Sequence, residues 1–336
     1  MLKIKKVEAA SDDEWDEMWH SSEYGTYYHS REWAEVWNKY TEDKIYPVPK
    51  LIIFSDNKKV VLPVMQQNYY GGTIRRYALT GPPFVSKYGN WLNSEALTKE
   101  HTNLLVSLII AKYRNLVWQL NPFDKNTPNI KFEYNYIFRL PHFAYMIDLT
   151  KGENKIYSGM KKSCRNQIKQ GIKNKLQVKE AHDITEWKKY YEIYQDTVNR
   201  WGSKAPYILD WKLFEIIYNM NSDSIKLWIT WYNNIPIAGC VTFYSNRKIV
   251  IWHSASLTAY QHLRPVNLSR YEIIKDGINK NYCWLDFGTD GGNEGLRKFK
   301  ESFGPDKVMC DKIYRWHPVL YHLVRAKNYI QRNFVR

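Results

Sequence analysis

The chain runs through one order of elements twice. Each half sets helices before three short apolar runs, then a long helix, then one more apolar run. In the first half the helices cover 12–20 and the stretch after Ser30, where Trp33, Val36, Trp37 and Tyr40 share a face behind a serine cap. Its apolar runs are 51–54, 60–64 and 74–79, its long helix is 94–113, and its closing run is 116–120. A loop-rich stretch over 123–143 leads to a strand over 145–149. The second half has helices over 155–170, 185–200 and 207–220, with a strand at 176–181. Its runs are 225–232, 236–244 and 249–253; its long helix starts at Arg264-Pro265, where proline suits a first turn, and its closing run is 282–287. Even the turns correspond: Phe54-Ser-Asp-Asn-Lys-Lys-Val60 against Trp231-Tyr-Asn-Asn-Ile-Pro-Ile237, and Asn115-Leu-Val-Trp118 against Asn281-Tyr-Cys-Trp284. Runs this short, bounded by Asn, Gly and Pro, are strands. The repeated order predicts an α/β (α+β) chain of two tandem domains, each a mixed, mostly antiparallel sheet flanked by helices. The boundary falls near 145–155, giving domains 1–150 and 151–336. A strand over 308–315 and a terminal helix from Pro318 close the second domain.

With 336 residues, 44% of them apolar and 16% aromatic, both domains can build real cores. The formal charge of +15 points to acidic partners: phosphates, nucleic acid or an anionic membrane surface. Cys164, Cys240, Cys283 and Cys310 lie far apart, with no CxxC pair and no histidine at ligand spacing, so neither a zinc site nor a disulfide framework is indicated. Scattered thiols fit a reducing compartment. The start Met-Leu-Lys-Ile-Lys-Lys-Val-Glu lacks the apolar core of a signal peptide, and the longest apolar run, 104–111, is too short to span a bilayer. A cytoplasmic protein is the expectation.

The chemistry gathers in Tyr282-Cys-Trp-Leu-Asp-Phe-Gly-Thr-Asp-Gly-Gly-Asn-Glu-Gly-Leu-Arg-Lys-Phe-Lys-Glu-Ser-Phe-Gly304. Gly288 ends the strand, and Thr289-Asp290-Gly291-Gly292-Asn293 favours a turn over any regular element. A short helix from Glu294 stops at Gly304-Pro305. Leu296, Phe299 and Phe303 make its buried stripe, Arg297, Lys298 and Glu301 point away, and Lys300 stands at the stripe's edge. A lysine there either snorkels to water or meets a carboxylate such as Asp286, or an anion carried by a ligand. Asp290 and Glu294 read either as a turn aspartate and a helix-start glutamate, or as site carboxylates.

Charge is also concentrated elsewhere. Lys161, Arg165 and Lys169 recur every four residues beside Lys162, with no acidic residue from 154 to 179. Such a face is either solvated or relieved of its repulsion by phosphate from a nucleotide, tRNA or lipid-linked sugar. The end of the chain holds Lys312, Arg315, Arg325, Lys327, Arg332 and Arg336 without an acid, and Val319, Leu320, Leu323, Val324 and Ile330 give it an apolar side. That pattern suits a docked amphipathic helix or weak contact with a membrane surface.

The element order resembles the GNAT acyltransferase superfamily, and the second half resembles its Fem branch, whose members carry two GNAT-like units. The likeness rests on Met160-Lys-Lys-Ser-Cys-Arg-Asn-Gln-Ile-Lys169, Pro236-Ile-Ala-Gly239, Pro265-Val-Asn-Leu268, Asp286-Phe-Gly288 and Gly295-Leu-Arg-Lys-Phe-Lys-Glu-Ser-Phe-Gly304. Ser30-Arg-Glu-Trp33 and Gly81-Pro82 fit more loosely. Enzymes of this branch mostly move an amino acid from aminoacyl-tRNA onto an amine of a peptidoglycan precursor. The resemblance implies that Lys300 lies beside the reacting carbonyl and that Arg165 meets substrate phosphate. Two positions depart from the pattern. Members that bind a nucleotide-linked muropeptide carry a lysine shortly after the Trp33-like tryptophan, where this chain has Trp37. They also carry an acidic residue before the proline ending the first-half strand, where it has Asn121. Both departures weigh against that muropeptide.

Acyl transfer to an amine passes through an oxyanion that positive charge or N–H donors stabilise. Lys300 and the backbone of 291–293 are suited to this, with Asp286 to position Lys300. The amine's proton goes to Asp286, Asp290, Glu294 or the substrate itself. The expected function is therefore Fem-type N-acyl transfer to an amine of a cell-envelope precursor, peptidoglycan or polysaccharide, on a phosphate-bearing small molecule or lipid carrier. Lys161, Arg165, Lys169, Asn267, Asp290 and Glu294 form its binding set. Aminoacyl-tRNA is the expected donor, with no metal and no tightly bound cofactor. The alternative is acyl-CoA with an amino-sugar acceptor. Acetyl-CoA-using relatives carry Arg/Gln-x-x-Gly-x-Gly/Ala before the long helix, where this chain has Gln261-His-Leu-Arg-Pro-Val-Asn267 and, in the first half, Gly81-Pro-Pro-Phe84. Non-catalytic binding of RNA or an acidic polymer, and a scaffold built on an inactive transferase fold, stay open on the residues alone.

Overall fold

A computed structural model of the chain describes residues 1–69, 72–82, 88–124, 136–202 and 208–319. Contacts divide the chain into two units, Met1–His142 with Met309–Arg336, and Phe143–Val308. In the first, β1 (Ile4–Ala9), α1 (Asp12–Ser21) and α2 (Arg31–Tyr40) precede β2 (Ile45–Pro47), β3 (Lys50–Phe54), β4 (Lys59–Leu62), β5 (Val64–Tyr69) and β6 (Ile74–Leu79). Then come β7 (Tyr88–Gly89), α3 (Lys99–Lys112), β8 (Leu116–Leu120) and β9 (Ile137–Leu140). Ser30 caps α2 by accepting from the Trp33 N–H. This unit holds two sheets where one was expected: β1, β3 and β4 pair by themselves, and the rest build a seven-stranded sheet. Pro63 is the reason. It has no N–H for a ladder, so the apolar run 60–64 breaks into β4 and β5, which pair in different sheets.

The second unit contains β10 (Phe143–Asp148), α4 (Glu153–Gly159), α5 (Lys162–Lys173), β11 (Gln177–Glu180), α6 (Ile184–Trp201), α7 (Trp211–Asn219) and β12 (Ile225–Tyr232). It continues through β13 (Ile235–Ser245), β14 (Lys248–Ser256), α8 (Pro265–Asn279), β15 (Trp284–Thr289), α9 (Glu294–Glu301) and β16 (Asp306–Met309). Its sheet has the order β11-β12-β13-β14-β15-β10-β16. The first four strands are an antiparallel meander; β15 joins β14 in parallel after the α8 crossover. That parallel ladder is short, pairing Lys248, Ile249 and Val250 with Trp284, Leu285 and Asp286. Past it, residues 251–254 of this mid-sheet strand are only half-buried, so the two strands part and leave an opening between their ends. The core beneath includes Tyr145, Cys164, Ile168, Cys240, Ile249, Leu268, Leu285 and Phe303, each large apolar side chain contributing roughly 1.5–3 kcal/mol by burial.

The run 308–315 is two strands, not one. After β16 the chain turns at Asp311, which accepts from the Arg139 side chain and the His142 N–H, and β17 (Lys312–Arg315) pairs with β8 and β9. The C-terminal strand assigned by sequence to the second domain thus completes the first unit's sheet. The two seven-stranded sheets correspond at their centres. β6 runs parallel to β8, with β17 antiparallel on the far side of β8; β14 runs parallel to β15, with β10 antiparallel beyond it. All four cysteines are free thiols, and no described helix is long and apolar enough to cross a membrane. The terminal helix and its basic residues lie, from 320 onward, outside the described residues, as do Pro83 and Phe84.

Candidate active site

β15 ends in a turn that its own aspartate shapes. Asp286 is fully buried, and its Oδ1 accepts from the Gly288 N–H at 2.7 Å. Gly288 sits at φ +69°, a conformation that strains any residue with a Cβ. The flanking carbonyls of Phe287 and Thr289 both accept from Lys300 Nζ, at 2.6 and 2.7 Å. Lys300 is 6% exposed, and its ammonium lies 6.0 Å from the centre of the Tyr145 ring, within cation–π range. Asp286 thus helps to fix the turn that carries both of these acceptors.

Asp290 closes the same loop. Its Oδ1 accepts from the Gly292 N–H at 2.9 Å and its Oδ2 from the Tyr145 hydroxyl at 2.8 Å. Burial by itself raises this carboxyl, but those two hydrogen bonds and the nearby Lys300 and Arg297 charges hold it below its ordinary range. Tyr145 moves the other way: burial, then the Asp290 carboxylate, push its phenol up to about 12. At neutral pH the pair is a neutral donor on an anion. Sequence reasoning missed Tyr145. A tyrosine inside an apolar strand signals a hydroxyl in need of a partner, but finding that partner requires the β10–β15 pairing, in which Met146 faces Asp286.

The helix carrying Lys300 starts at Asn293, whose Oδ1 accepts from the Leu296 N–H. Leu296 is 41% exposed and does not join the buried stripe; Phe299 is half-buried and Phe303 is 1% exposed. A helix of 8 residues presses only its last turn on the core. Glu294 stands in solvent, 3.0 Å from Lys298 and 3.9 Å from Arg297, away from the turn that grips Lys300.

The helix expected over 155–170 breaks at Met160-Lys161, where the end of α9 packs. A Cβ on Gly304 would lie 2.6 Å from the Gly159 carbonyl oxygen, and the Lys161 N–H bonds the Ser302 carbonyl at 2.9 Å. Ile156, Met160, Cys164 and Ile168 stay buried across the break. Arg165, half-buried, folds back over it to donate to the carbonyls of Ser158 and Met160. Burial raises the Cys164 thiol, partly offset by hydrogen bonds with Ser302 and Asn267, so α5, α8 and α9 meet at one sulfur. The structure thus brings Lys300, Asp286 and Asp290 together, sets Lys161 and Arg165 against the far end of α9, and ties Asn267 in through Cys164. Lys169 and Glu294 are exposed and stand apart.

Both departures from the Fem pattern have structural occupants. Trp37 is a core side chain, 1% exposed and edge-on to Trp33 and Tyr40. Asn121, also buried, donates to the Tyr24 carbonyl and accepts from the Phe123 N–H. Ahead of α8, a 3-10 helix (Thr258–Leu263) and Arg264 at φ +62° fill the place of a glycine cradle.

Residues 158–301 match the family model described as an acetyltransferase (GNAT) domain. Among solved structures, the crystal structure of FemX superposes with a TM-score of 0.69 at 14% identity, over 95% of this chain and 99% of that one. A conserved protein of unknown function from Bacteroides thetaiotaomicron gives 0.55 at 13%, over 94% and 100%. The C-terminal domain of an Agrobacterium fabrum protein provisionally named a lysylphosphatidylglycerol synthetase gives 0.54 at 10%, over 84% and 88%. No curated protein matches the sequence. The chain thus shares the fold of FemX, and the part of it that matches a GNAT domain carries the Lys300 turn.

Proposed function

We propose that the second unit holds an N-acyltransferase site of Fem type, moving an aminoacyl or acyl group from an activated donor to an amine of a cell-envelope precursor. The observation that carries this reading is the buried Lys300 ammonium, held by the carbonyls of Phe287 and Thr289 beside the opening of the β14–β15 pair. The two carbonyls fix the position and direction of the ammonium. As the amine adds to the donor's carbonyl, negative charge grows on that oxygen, and a fixed cation in a water-poor site stabilises it. The new C–N bond forms, the ester C–O bond breaks, and the amine's proton leaves with the departing oxygen. Asp290, held in its anionic form, is a weak base; its part is to orient Tyr145 and the loop. Proximity supplies much of the remaining acceleration, because the donor is already activated. Arg165 and Lys161 bind the phosphate of donor or acceptor.

Charged tRNA is favoured over acyl-CoA as donor, because the segment before α8 has no glycine cradle for a pyrophosphate. Trp37 and Asn121 favour a polysaccharide or lipid-linked acceptor over a nucleotide-linked muropeptide. The test is Lys300→Met in the full chain, assayed with charged tRNAs and acyl-CoA esters against amine acceptors. Transfer should fall on the order of a hundred- to a thousandfold while cooperative melting persists. Undiminished transfer would remove Lys300 from the chemistry, and transfer from CoA esters alone would replace the donor.

A further inference from the structure

Arg270 on α8 is 3% exposed, and a guanidinium does not give up its charge. It donates to the Ser254 hydroxyl on β14 through Nη2 and meets the Cys240 thiol, a weak acceptor, while Nε and Nη1 are buried without an oxygen acceptor. Among the described residues it forms no ion pair with a carboxylate. Its titratable neighbours are the Cys240 thiol and the Tyr190 phenol, and burial pushes both up, so neither supplies negative charge. One turn earlier on the same face, Asn267 is also buried, its amide meeting the Cys164 thiol but no oxygen acceptor. Burying an unpaired charge is among the costliest arrangements a fold can contain. Ser254, unlike Arg270, is half-buried: it belongs to the part of β14 that is uncovered where β15 departs. The guanidinium therefore reaches the part of β14 that lies past the short ladder, and Lys300 grips the part of β15 that lies past it.

We propose that Arg270, with Asn267, forms a subsite for a carboxylate. The anion enters between β14 and β15 and neutralises the guanidinium while the reacting carbonyl lies at Lys300. One buried positive charge calls for one negative charge, and the two oxygens of a carboxylate suit the paired N–H groups of a guanidinium. A phosphate dianion would leave charge over. The role in transfer rests on the function proposed above; the binding itself does not. The carboxylate belongs either to the acceptor or to an acidic side chain of the transferred group.

Calorimetric titration of the full chain separates these at fixed ionic strength. The probes are glycine, as an amine-bearing acceptor mimic, and N-acetylglycine, as an acyl mimic, each against its amide, with inorganic phosphate as a third arm. A carboxylate should bind where its amide does not, and the tighter of the two names the source. Arg270→Met should weaken that binding on the order of tenfold to a hundredfold, and ligand-free it should melt no lower than the wild type, having shed an unpaired charge. Arg270→Lys keeps the charge without the fork and should bind at an intermediate level, which serves if the methionine variant does not fold. Probe binding is read without any transfer, and the transfer assay of Lys300→Met is read without these probes, so a failed subsite and a failed transferase are told apart. Equal binding of acid and amide, binding of phosphate alone, unaltered binding by Arg270→Met, or a marked drop in its ligand-free melting would overturn the subsite.

Discussion

The ends of β8 and β15 occupy corresponding points in two sheets, yet one is sealed and the other holds a cation. Each strand runs parallel to the one before it and has an antiparallel strand on its far side. β8 runs into Asn121-Pro122-Phe123-Asp124, where Asn121 bonds the Tyr24 carbonyl and the Phe123 N–H, and Asp124 takes the Asn90 amide at 2.6 Å. Asn90, Asn121, Phe123 and Asp124 are all buried. β15 runs instead into Gly288, whose φ of +69° lets the chain present two carbonyls to Lys300. Proline, with its fixed φ and no N–H, cannot make that turn; glycine makes it without strain. Two sheets of like order can therefore differ at corresponding strand ends, one packed by neighbours and the other built around a cation.

The widest separation between the two ends should appear on removing their central groups. Lys300→Met should cost transfer on the order of a hundred- to a thousandfold. Asp124→Ala should leave the transfer rate intact and lower stability by about 1–3 kcal/mol, because the Asn90 amide loses its buried acceptor. Transfer rates and urea unfolding, measured on both variants, read the two effects separately. Equal losses of transfer would mean that the strand ends are not functionally distinct.

Much of the β15 end is legible in the sequence, because its signals are local. Glycine at 288 and 304 marks the turn and the stop, and helical spacing sets Lys300 at the edge of the apolar face. The features that escape are those that depend on pairing or on helix docking. Tyr145 reaches Asp290 only because β10 pairs with β15. Arg270 reads as one more polar residue of a long helix until α8 packs and buries it. Pro63 is visible in the run 60–64, but nothing local says that the strands on either side enter different sheets. Likewise the path of 312–315 into the first unit depends on Asp311 binding Arg139 and His142, contacts between segments remote in sequence. Leu296 misleads for the opposite reason: its spacing is right, but the helix is too short to bury it.

The Tyr145–Asp290 bond sharpens the comparison at smaller scale, since it ties the β15 loop to the neighbouring strand. Tyr145→Phe should lower stability by about 1 kcal/mol near neutral pH, with a modest loss of transfer. The two shifts set its pH dependence. The folded-state phenol titrates at about 12 instead of 10.0, so its contribution is whole below pH 10 and fades as pH rises toward 12. The Asp290 carboxyl lies below its ordinary 3.8, so its contribution is whole above that value and fades as pH falls through the lower one. Unfolding free energies of wild type and variant should therefore differ by a constant amount between about pH 4 and 10 and converge outside it. A difference that changes across neutral pH would mean that another group titrates there.

The smallest effect belongs to Glu294, which is close in sequence to the turn but not part of it. Exposed pairs like those with Lys298 and Arg297 contribute about 0.3–0.5 kcal/mol on a helix, and a carboxylate in the first turn adds a similar amount through the helix dipole. Glu294→Gln should shift stability by less than about 1 kcal/mol and leave kcat/KM close to wild type. The near-null result is informative because Glu294 and Asp290 both lie in the loop region beyond β15, and only Asp290 is tied back to the sheet. If Glu294→Gln instead lost transfer by tenfold or more, the chemistry would lie at the solvent side of α9. The contrast between β8 and β15 would then rest on the segments beyond the two strands rather than on how the strands themselves end.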